Sequence, residues 1–585
     1  MTKPQEVDPI TMEVIRYELI SAAEEMSRTV IRTSLWPILY EIHDFAMAVY
    51  DARLNMLSHA PGIPVFIGTL GFCIDSCIEQ LGEDAFREDD VILTTNPFHT
   101  GGHSADAASI APVFHEDEIV AYTALKGHLG DFGSVNFYPT QSTDMWQEGT
   151  IYPAIKIYER GKLNTDILRM IRVNSRLPDI TAGNLLSFAS ALNAGTRRVK
   201  LLVQKYGRDT FYEAVDKILD HGEQITRNEL AEFPEGTWEA EDWMDDDGIN
   251  FDEPLRLHAK VTIKGTNMTV DLGGSAPEAE GPFNSPFPAT FSGVAYALKA
   301  LTTPQAPTNG GHFRPLKVIA PEGSIFNPSP PAPTMMYFMT SSRLMELIPR
   351  ALADALPEKV PANSGGTLVG FVYWGTWENS DRVWLGSATE AVGIGGSVAD
   401  DGDSAMIHYN NGDCCNIPAE IVENRLPVVM ERYSLNPDSG GPGKHRGGLG
   451  VIKEIRLLLD GQITSIIEKT QASPPWGLKG GTSPLKKTRV VVRYPDGHEE
   501  HVTKVSAFPV PAGGSITLLS AGGGGYGDPY EREIEKVHED VVMGFVSPSV
   551  AKEYYGVVVD SSGKVDMEAT KSIRKARLAA NPKSG

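Results

Sequence analysis

Two short units, each an imidazole and a carboxylate three residues apart, lie between Asn96 and Asp131. The first is His103 and Asp106 in Gly101-Gly102-His103-Ser104-Ala105-Asp106. The second is His128 and Asp131 in Lys126-Gly127-His128-Leu129-Gly130-Asp131. Imidazole plus carboxylate suits Zn²⁺, Mn²⁺ or Fe²⁺, and the flanking glycines let the backbone turn sharply. Met around one ion, the two units would make a site that polarises a carbonyl or activates water. The alternative is that these polar groups cap turns. Asp44, in Glu41-Ile42-His43-Asp44, is a further ligand candidate or a capped strand end. His99 reads as a supporting or surface residue, and His115, beside Glu116-Asp117-Glu118, as a solvated turn.

The elements around these residues can position them. Val91–Thr95 reads as a strand that runs into the first glycine loop, and Ile119–Leu125 as one that delivers His128 at its end. Phe45, Met47 and Val49 alternate ahead of a turn at Asp51–Asn55, a strand-turn-strand pattern. Upstream, Asp8-Pro9 is a helix start, and Met12, Ile15, Leu19, Ala22, Met26 and Val30 keep a 3.6-residue period to about Thr33. A second helix is expected over 63–81. Rigid elements of this kind hold loop ligands in place.

Farther along, 166–174, 179–206 and 210–230 read as helices. Leu255–Ile263 and Met268–Leu272 form a hairpin across Gly265-Thr266-Asn267, and 286–303 and 341–356 return to helix. Two more hairpins are expected, Val451–Leu459 with Ile463–Glu468 around Asp460-Gly461, and Arg489–Arg493 with Glu499–Thr503 around Asp496-Gly497. The tail ends in the basic run Lys571, Arg574, Lys575 and Arg577. The expected fold is mixed α/β (α+β) and multidomain. It comprises an N-terminal metal-binding α/β and helical domain (1–232), a central mixed domain (233–424), a β-rich domain (425–528) and a C-terminal helical tail (529–585).

Composition excludes several classes. The chain has 585 residues, enough for several cores, and 41% hydrophobic with 22% charged residues is ordinary globular usage. A formal net charge of -24 argues against nucleic acid or an anionic membrane as the main partner. The start is polar, with no leader pattern, and no apolar run reaches spanning length, so a cytoplasmic location is expected. The four cysteines (Cys73, Cys77, Cys414 and Cys415) form no C-x-x-C motif and read as reduced thiols.

Other motifs carry less. Asp245-Asp246-Asp247-Gly248 resembles the start of a calcium loop but lacks the later ligands, and reads as an acidic surface turn. Gly440–Gly448 is not a Walker A loop, and Gly522–Asp528 does not open a βαβ unit; both read as tight structural loops or subunit contacts. No Gly-x-Ser-x-Gly elbow is present.

Taken together, the chain resembles the hydantoinase B/oxoprolinase family nearly end to end. The resemblance rests on Glu41–Phe45, Asn96–Asp106, Gly127–Asp131, Asp438–Gly450 and Gly522–Pro529, in that order. One departure is the pair Asn96-Pro97, where the family often has Asn-Asp-Pro. In length and in the His99–His103 loop the chain is similar to members that open caprolactam. The resemblance implies metal ligands at Asp44, His103, Asp106 and His128, holding one zinc or manganese ion. Glu41, Asp131 and His99 would be supporting or catalytic residues. It also implies a hydantoinase A-type partner that binds ATP and Mg²⁺, within a higher hetero-oligomer. The implied activity is ATP-dependent opening of a cyclic amide of the caprolactam, 5-oxoproline or hydantoin type. The alternatives are a component of an ATP-dependent ketone carboxylase (acetone or acetophenone type) and a non-catalytic scaffold.

Overall fold

The computed structural model describes residues 7–580, apart from Leu368 and Asp413. The first helix, Pro9–Thr33, begins where Asp8 accepts hydrogen bonds from Ile10 N and Thr11 N, with Pro9 at its first position. Ile15, Leu19, Ala22, Met26 and Val30 are all buried. Each large apolar side chain so buried contributes about 1.5–3 kcal/mol.

That helix lies on a seven-stranded sheet made of β1 (Phe45–Asp51), β2 (Met56–His59), β3 (Val91–Thr94), β4 (Asp106–His115), β5 (Glu118–His128), β6 (Ile155–Glu159) and β7 (Lys162–Leu163). The order is β2-β1-β5-β4-β3-β6-β7, and every neighbouring pair is antiparallel. Strand alternation divides its side chains between two faces. Phe45, Met47 and Val49 pack against the helices Pro9–Thr33, Pro178–Tyr206 and Arg208–Ala231. Ala48, Tyr50, Ala108, Ile110 and Tyr122 face the helix Leu70–Leu81 instead, which buries Leu70, Cys73, Ile74 and Cys77. The helix expected over 63–81 is therefore two pieces, Pro64–Ile67 and Leu70–Leu81, separated at Gly68-Thr69.

A second sheet combines Gly236–Met244, Leu255–Lys264, Asn267–Asp271 and Leu316–Ile319, backed by the helices Phe287–Thr302 and Tyr337–Ala351. The remaining two sheets share one core, in which Phe371, Tyr373 and Ile463 meet Ile455, Val490, Ile516 and Leu518. Here one expected hairpin fails. Val451–Leu457 pairs with Val428–Leu435 and Ser515–Leu519, whereas Gly461–Ile466 pairs with Val369–Thr376 and Val505–Val510. The Asp460 turn carries the chain from one sheet of a sandwich to the other. The sheet that holds Val369–Thr376 and Gly461–Ile466 also crosses the boundary expected at 424. The hairpin Arg489–Arg493 with Glu499–Val502 forms as expected.

Two glycine segments close this sandwich backbone against backbone. Gly441 N donates to Gly523 O (2.8 Å), Gly523 N to Gly448 O (2.9 Å) and Gly448 N to Ile394 O (2.8 Å). A Cβ on Gly448 would stand 1.8 Å from Asp403 O. Among the described residues no helix is long and apolar enough to cross a membrane.

The run Asp245-Asp246-Asp247 is buried, not a surface turn. Asp245 accepts from Thr470 N and Ala472 N, Asp246 pairs with Lys504, and Asp247 accepts from Ile249 N and Asn250 N. Beside it, Arg343 of the helix Tyr337–Ala351 bridges Asp242 (3.1 Å) and Glu468 (3.1 Å) with no exposed surface. Removing one member of a buried ion cluster leaves its partners' charge uncompensated. Arg343→Ala is accordingly expected to cost about 3–5 kcal/mol, measured as a lower denaturant midpoint; an unchanged midpoint contradicts this assignment.

Candidate metal centre

The hairpin of β4 and β5 sets Asp106, its first residue, directly opposite His128, its last. Residues so paired hold their side chains on one face with Cβ atoms about 4.5–5.5 Å apart. On the other side of β5, His128 N donates to Asp44 O (3.1 Å) just before β1 begins. Asp44, His128 and Asp106 thus form a row across three adjacent chain segments at one end of the sheet.

His103 reaches this row through the loop. Asn96 accepts from Phe98 N (3.1 Å) and caps the short helix Pro97–Thr100, which Gly101 ends at φ 62. A Cβ on Gly102 would stand 2.5 Å from Asp106 Oδ2. Only glycine allows the chain to pass there. Asp106 N then donates to His103 O (3.0 Å), closing the turn.

Three atoms converge. His103 Nε2 is 2.9 Å from Asp106 Oδ1 and 3.2 Å from His128 Nδ1, and His128 Nδ1 is 3.2 Å from Asp106 Oδ1. All three side chains are buried. Ligand atoms that share one ion at bonds of about 2.0–2.2 Å stand roughly 3 Å apart. The outward atoms fit the same arrangement. His128 Nε2 lies 2.7 Å from the Tyr138 hydroxyl, and His103 Nδ1 lies 2.9 Å from Met335 Sδ. Asp106 Oδ2 accepts from the Tyr337 hydroxyl (2.7 Å). Were each imidazole N–H turned outward to these neighbours, as on binding a cation, the three inward atoms would present lone pairs to one point. The donor set of two imidazoles and a carboxylate fits a divalent transition metal.

Charge around the triad is finely set. Burial opposes ionisation of Asp106, but His103, the hydrogen bonds from both imidazoles and Lys126 hold its carboxyl well below the usual range. Burial pushes the Asp44 carboxyl up to about 7, with His128 acting against the rise and Asp106 adding to it; a bound cation would draw it back down. Burial also pushes the phenols of Tyr138 and Tyr337 well above 10, so both stay neutral. Lys126 is wholly buried; its Nζ donates to Thr100 O (2.8 Å) and Gly101 O (3.1 Å) and lies over the Phe66 ring. It pins the turn that leads to His103.

The triad lines a small cavity of about 50 Å³. Asp44 and Tyr138 border it, as do the apolar Ile63, Phe338 and Phe371. Asp44 lies outside the three-atom cluster, on the cavity wall beside it. The other expected residues stand elsewhere. Asp131 is taken up by Arg176, at 2.6 Å and 3.1 Å, and by Gly133 N, so it fixes the following loop and orients no imidazole. His99 contacts Gln80 (3.2 Å), and Glu41 ends the short helix Pro37–Tyr40; neither borders the cavity. The imidazole partners Tyr138 and Met335 were not anticipated, nor were Tyr337, Lys126 and Glu148. Glu148 accepts from Thr334 N (2.9 Å) and Met335 N (2.8 Å) and so places Met335. A charged Lys126 two positions from His128 in an apolar strand was the available sign for one of these.

A fold of mixed sheets carrying a buried two-histidine, one-carboxylate cluster defines the class: a protein built around a candidate metal centre. The sequence profile of Hydantoinase B/oxoprolinase matches residues 8–529, and the chain belongs to that family. It is 30% identical to the B component of a putative D-/L-hydantoinase from a Pseudomonas species, over 98% of this chain and 99% of that protein. It is also 30% identical to the beta chain of the caprolactamase of Pseudomonas jessenii, over 97% and 99%. The crystal structure of ATP-dependent caprolactamase from that organism superimposes with a TM-score of 0.89 at 28% identity, covering 98% of this chain and all of that one. A nucleotide-free acetone carboxylase shares the fold with a TM-score of 0.91 at 20% identity, over 99% of this chain and 84% of that one.

Two outcomes test the centre. His103→Ala or His128→Ala is expected to reduce bound zinc or manganese, measured by elemental analysis, to a small fraction of the wild-type content with the fold retained. Tyr138→Phe removes only the acceptor of His128 Nε2, and should weaken metal affinity by about 10–100-fold in a chelator competition. Equal affinity would show that Tyr138 does not orient the ring.

Proposed function

We propose that this chain is the metal-binding component of an ATP-dependent cyclic amide hydrolase, working with an ATP-binding hydantoinase A-type partner in a hetero-oligomer. The observation that carries the reading is the convergence of His103 Nε2, Asp106 Oδ1 and His128 Nδ1 at the wall of a largely apolar cavity. The names of the relatives support it, since one is part of a hydantoinase and another part of a caprolactamase. A zinc or manganese ion held by His103, Asp106 and His128, with Asp44 as fourth ligand, would act as a Lewis acid on a ring carbonyl.

The protein's own residues do the rest. The apolar walls limit water and strengthen each polar contact. Tyr138 and Tyr337 keep the triad aimed inward while staying neutral themselves. The sequence carries no Walker A or dinucleotide fingerprint, so ATP and Mg²⁺ are assigned to the partner, where ATP would activate the unreactive ring amide. Ketone carboxylation is the second reading, favoured by the fold shared with acetone carboxylase.

The complex co-purified with its partner should open hydantoin, 5-oxoproline or caprolactam with release of ADP. His128→Ala should lower that turnover by at least about 100-fold, in line with loss of a metal Lewis acid. Turnover of acetone with bicarbonate, and of no ring amide, would overturn the hydrolase reading.

A further inference from the structure

A second cavity, of about 260 Å³, lies beside the candidate metal centre. The two cavities share one bordering residue, Ser387. Trp36 forms part of the second cavity's wall, and its ring centroid is 5.8 Å from that of His128, so one indole packs against the triad and borders this separate space.

The aromatic walls are preformed. Tyr373 and Trp384 are buried, as is Trp36, and Trp377 is half-buried. Trp384 is wedged against two glycines. A Cβ on Gly375 would stand 2.5 Å from its Cζ2, and one on Gly461 2.9 Å from its Cη2. Rings fixed in this way offer an apolar surface with little further ordering cost on binding.

Charge at this cavity runs against that of the whole chain. The protein has 76 acidic and 52 basic residues, yet the only charged side chains bordering the cavity, among the described residues, are Arg382 and Arg425. Both are exposed, and neither is in an ion pair among the described residues. Arg382 stands at the end of the turn between Val369–Thr376 and Val383–Glu390, where its carbonyl accepts from Trp377 N (2.9 Å). Arg425 ends the helix Ala419–Arg425, one turn after Ile421, which borders the same cavity. Its guanidinium lies over Tyr40, 5.5 Å from the ring centroid. Two arginines without a carboxylate partner, in so acidic a chain and beside an aromatic pocket, are open to a carboxylate from outside. The guanidinium fork matches that group with two parallel hydrogen bonds.

We propose that this cavity binds a small carboxylic acid with an aromatic or branched apolar body. The body lies among the rings of Trp36, Tyr373, Trp377 and Trp384, and the carboxylate meets Arg382 and Arg425. Apolar walls with a few polar groups that fix orientation are the usual build of a small-molecule site. A neutral or cationic head on the same body forfeits the charge-assisted bonds. The proposal is independent of the cyclic-amide reading.

Phenylacetate, phenylacetamide and 2-phenylethylamine share one body and differ in the charge of the head. Each is titrated into the full chain, first metal-free after chelation and then zinc-loaded, with tryptophan fluorescence and calorimetry as readouts. Phenylacetate should bind at least about 10-fold more tightly than the other two, and equally well with and without zinc. Replacing both arginines, Arg382→Gln with Arg425→Gln, should bring phenylacetate to the level of the amide with an unchanged melting curve. Ile421→Trp, which fills the cavity from the helix, should abolish binding of all three, its own melting curve checking the fold. Failure of phenylacetate to bind, equal binding of acid and amide, or a preference that survives loss of both arginines overturns the proposal. So does binding that persists in Ile421→Trp or that requires zinc, the latter placing the acid at the triad. Each of these results leaves the cyclic-amide reading to its own test.

Discussion

The pairing register of β5 with its two neighbours is the constraint on which the site depends. His128 lies between Asp44 and Asp106 only because Phe45 pairs with Gly127 and Ala107 with that same Gly127. A slip of one residue in either ladder would turn the shifted strand's side chains to the opposite face, sending its carboxylate toward the helical layer. The alternation that buries Met47 and Val49 under the helices and Ala48 and Tyr50 under Leu70–Leu81 forbids such a slip. Packing across the whole sheet thus fixes the position of three side chains at its end.

The other half of the site is held by charge. Tyr337, which bonds Asp106, starts the helix that also carries Arg343 and Glu346. Arg343 ties that helix to Asp242 and Glu468, and Glu346 ties it to Lys469. Buried ion pairs of this kind add little net stability compared with apolar packing, but they admit few alternative arrangements. Here they hold Tyr337 against the triad.

What the sequence disclosed follows the distance between partners. His103, Asp106 and His128 fall within one hairpin and its leading loop, so their strands and glycines announced them. The helices 9–33 and 179–206 were legible because their apolar period is local. Met335 and Tyr337 meet the triad from more than 200 residues away, and no local pattern marks such a meeting. The acidic run at Asp245 misled for the same reason, since Thr470 and Lys504 satisfy it from the far side of the sequence. Val451–Leu457 and Gly461–Ile466 have every local feature of a hairpin, yet each pairs with strands from elsewhere in the chain, in different sheets. Asp131 shows the limit of symmetry as a guide, because an equal spacing placed it beside Arg176.

The interlocked glycine segments have a consequence for how the molecule is made. The sheet bearing Asp106 and His128, with the His103 loop, is complete by Leu163, while the sandwich closes only when Gly523 reaches Gly448 and Val505–Val510 joins its sheet. At about 5–20 residues per second those events are separated on the ribosome by on the order of tens of seconds. Through that interval the walls contributed by Phe371, Thr389, Asn411 and Ile466 are not yet in place. The order of the chain therefore leaves the three converging side chains open to solvent and small ions before the chamber around them is built.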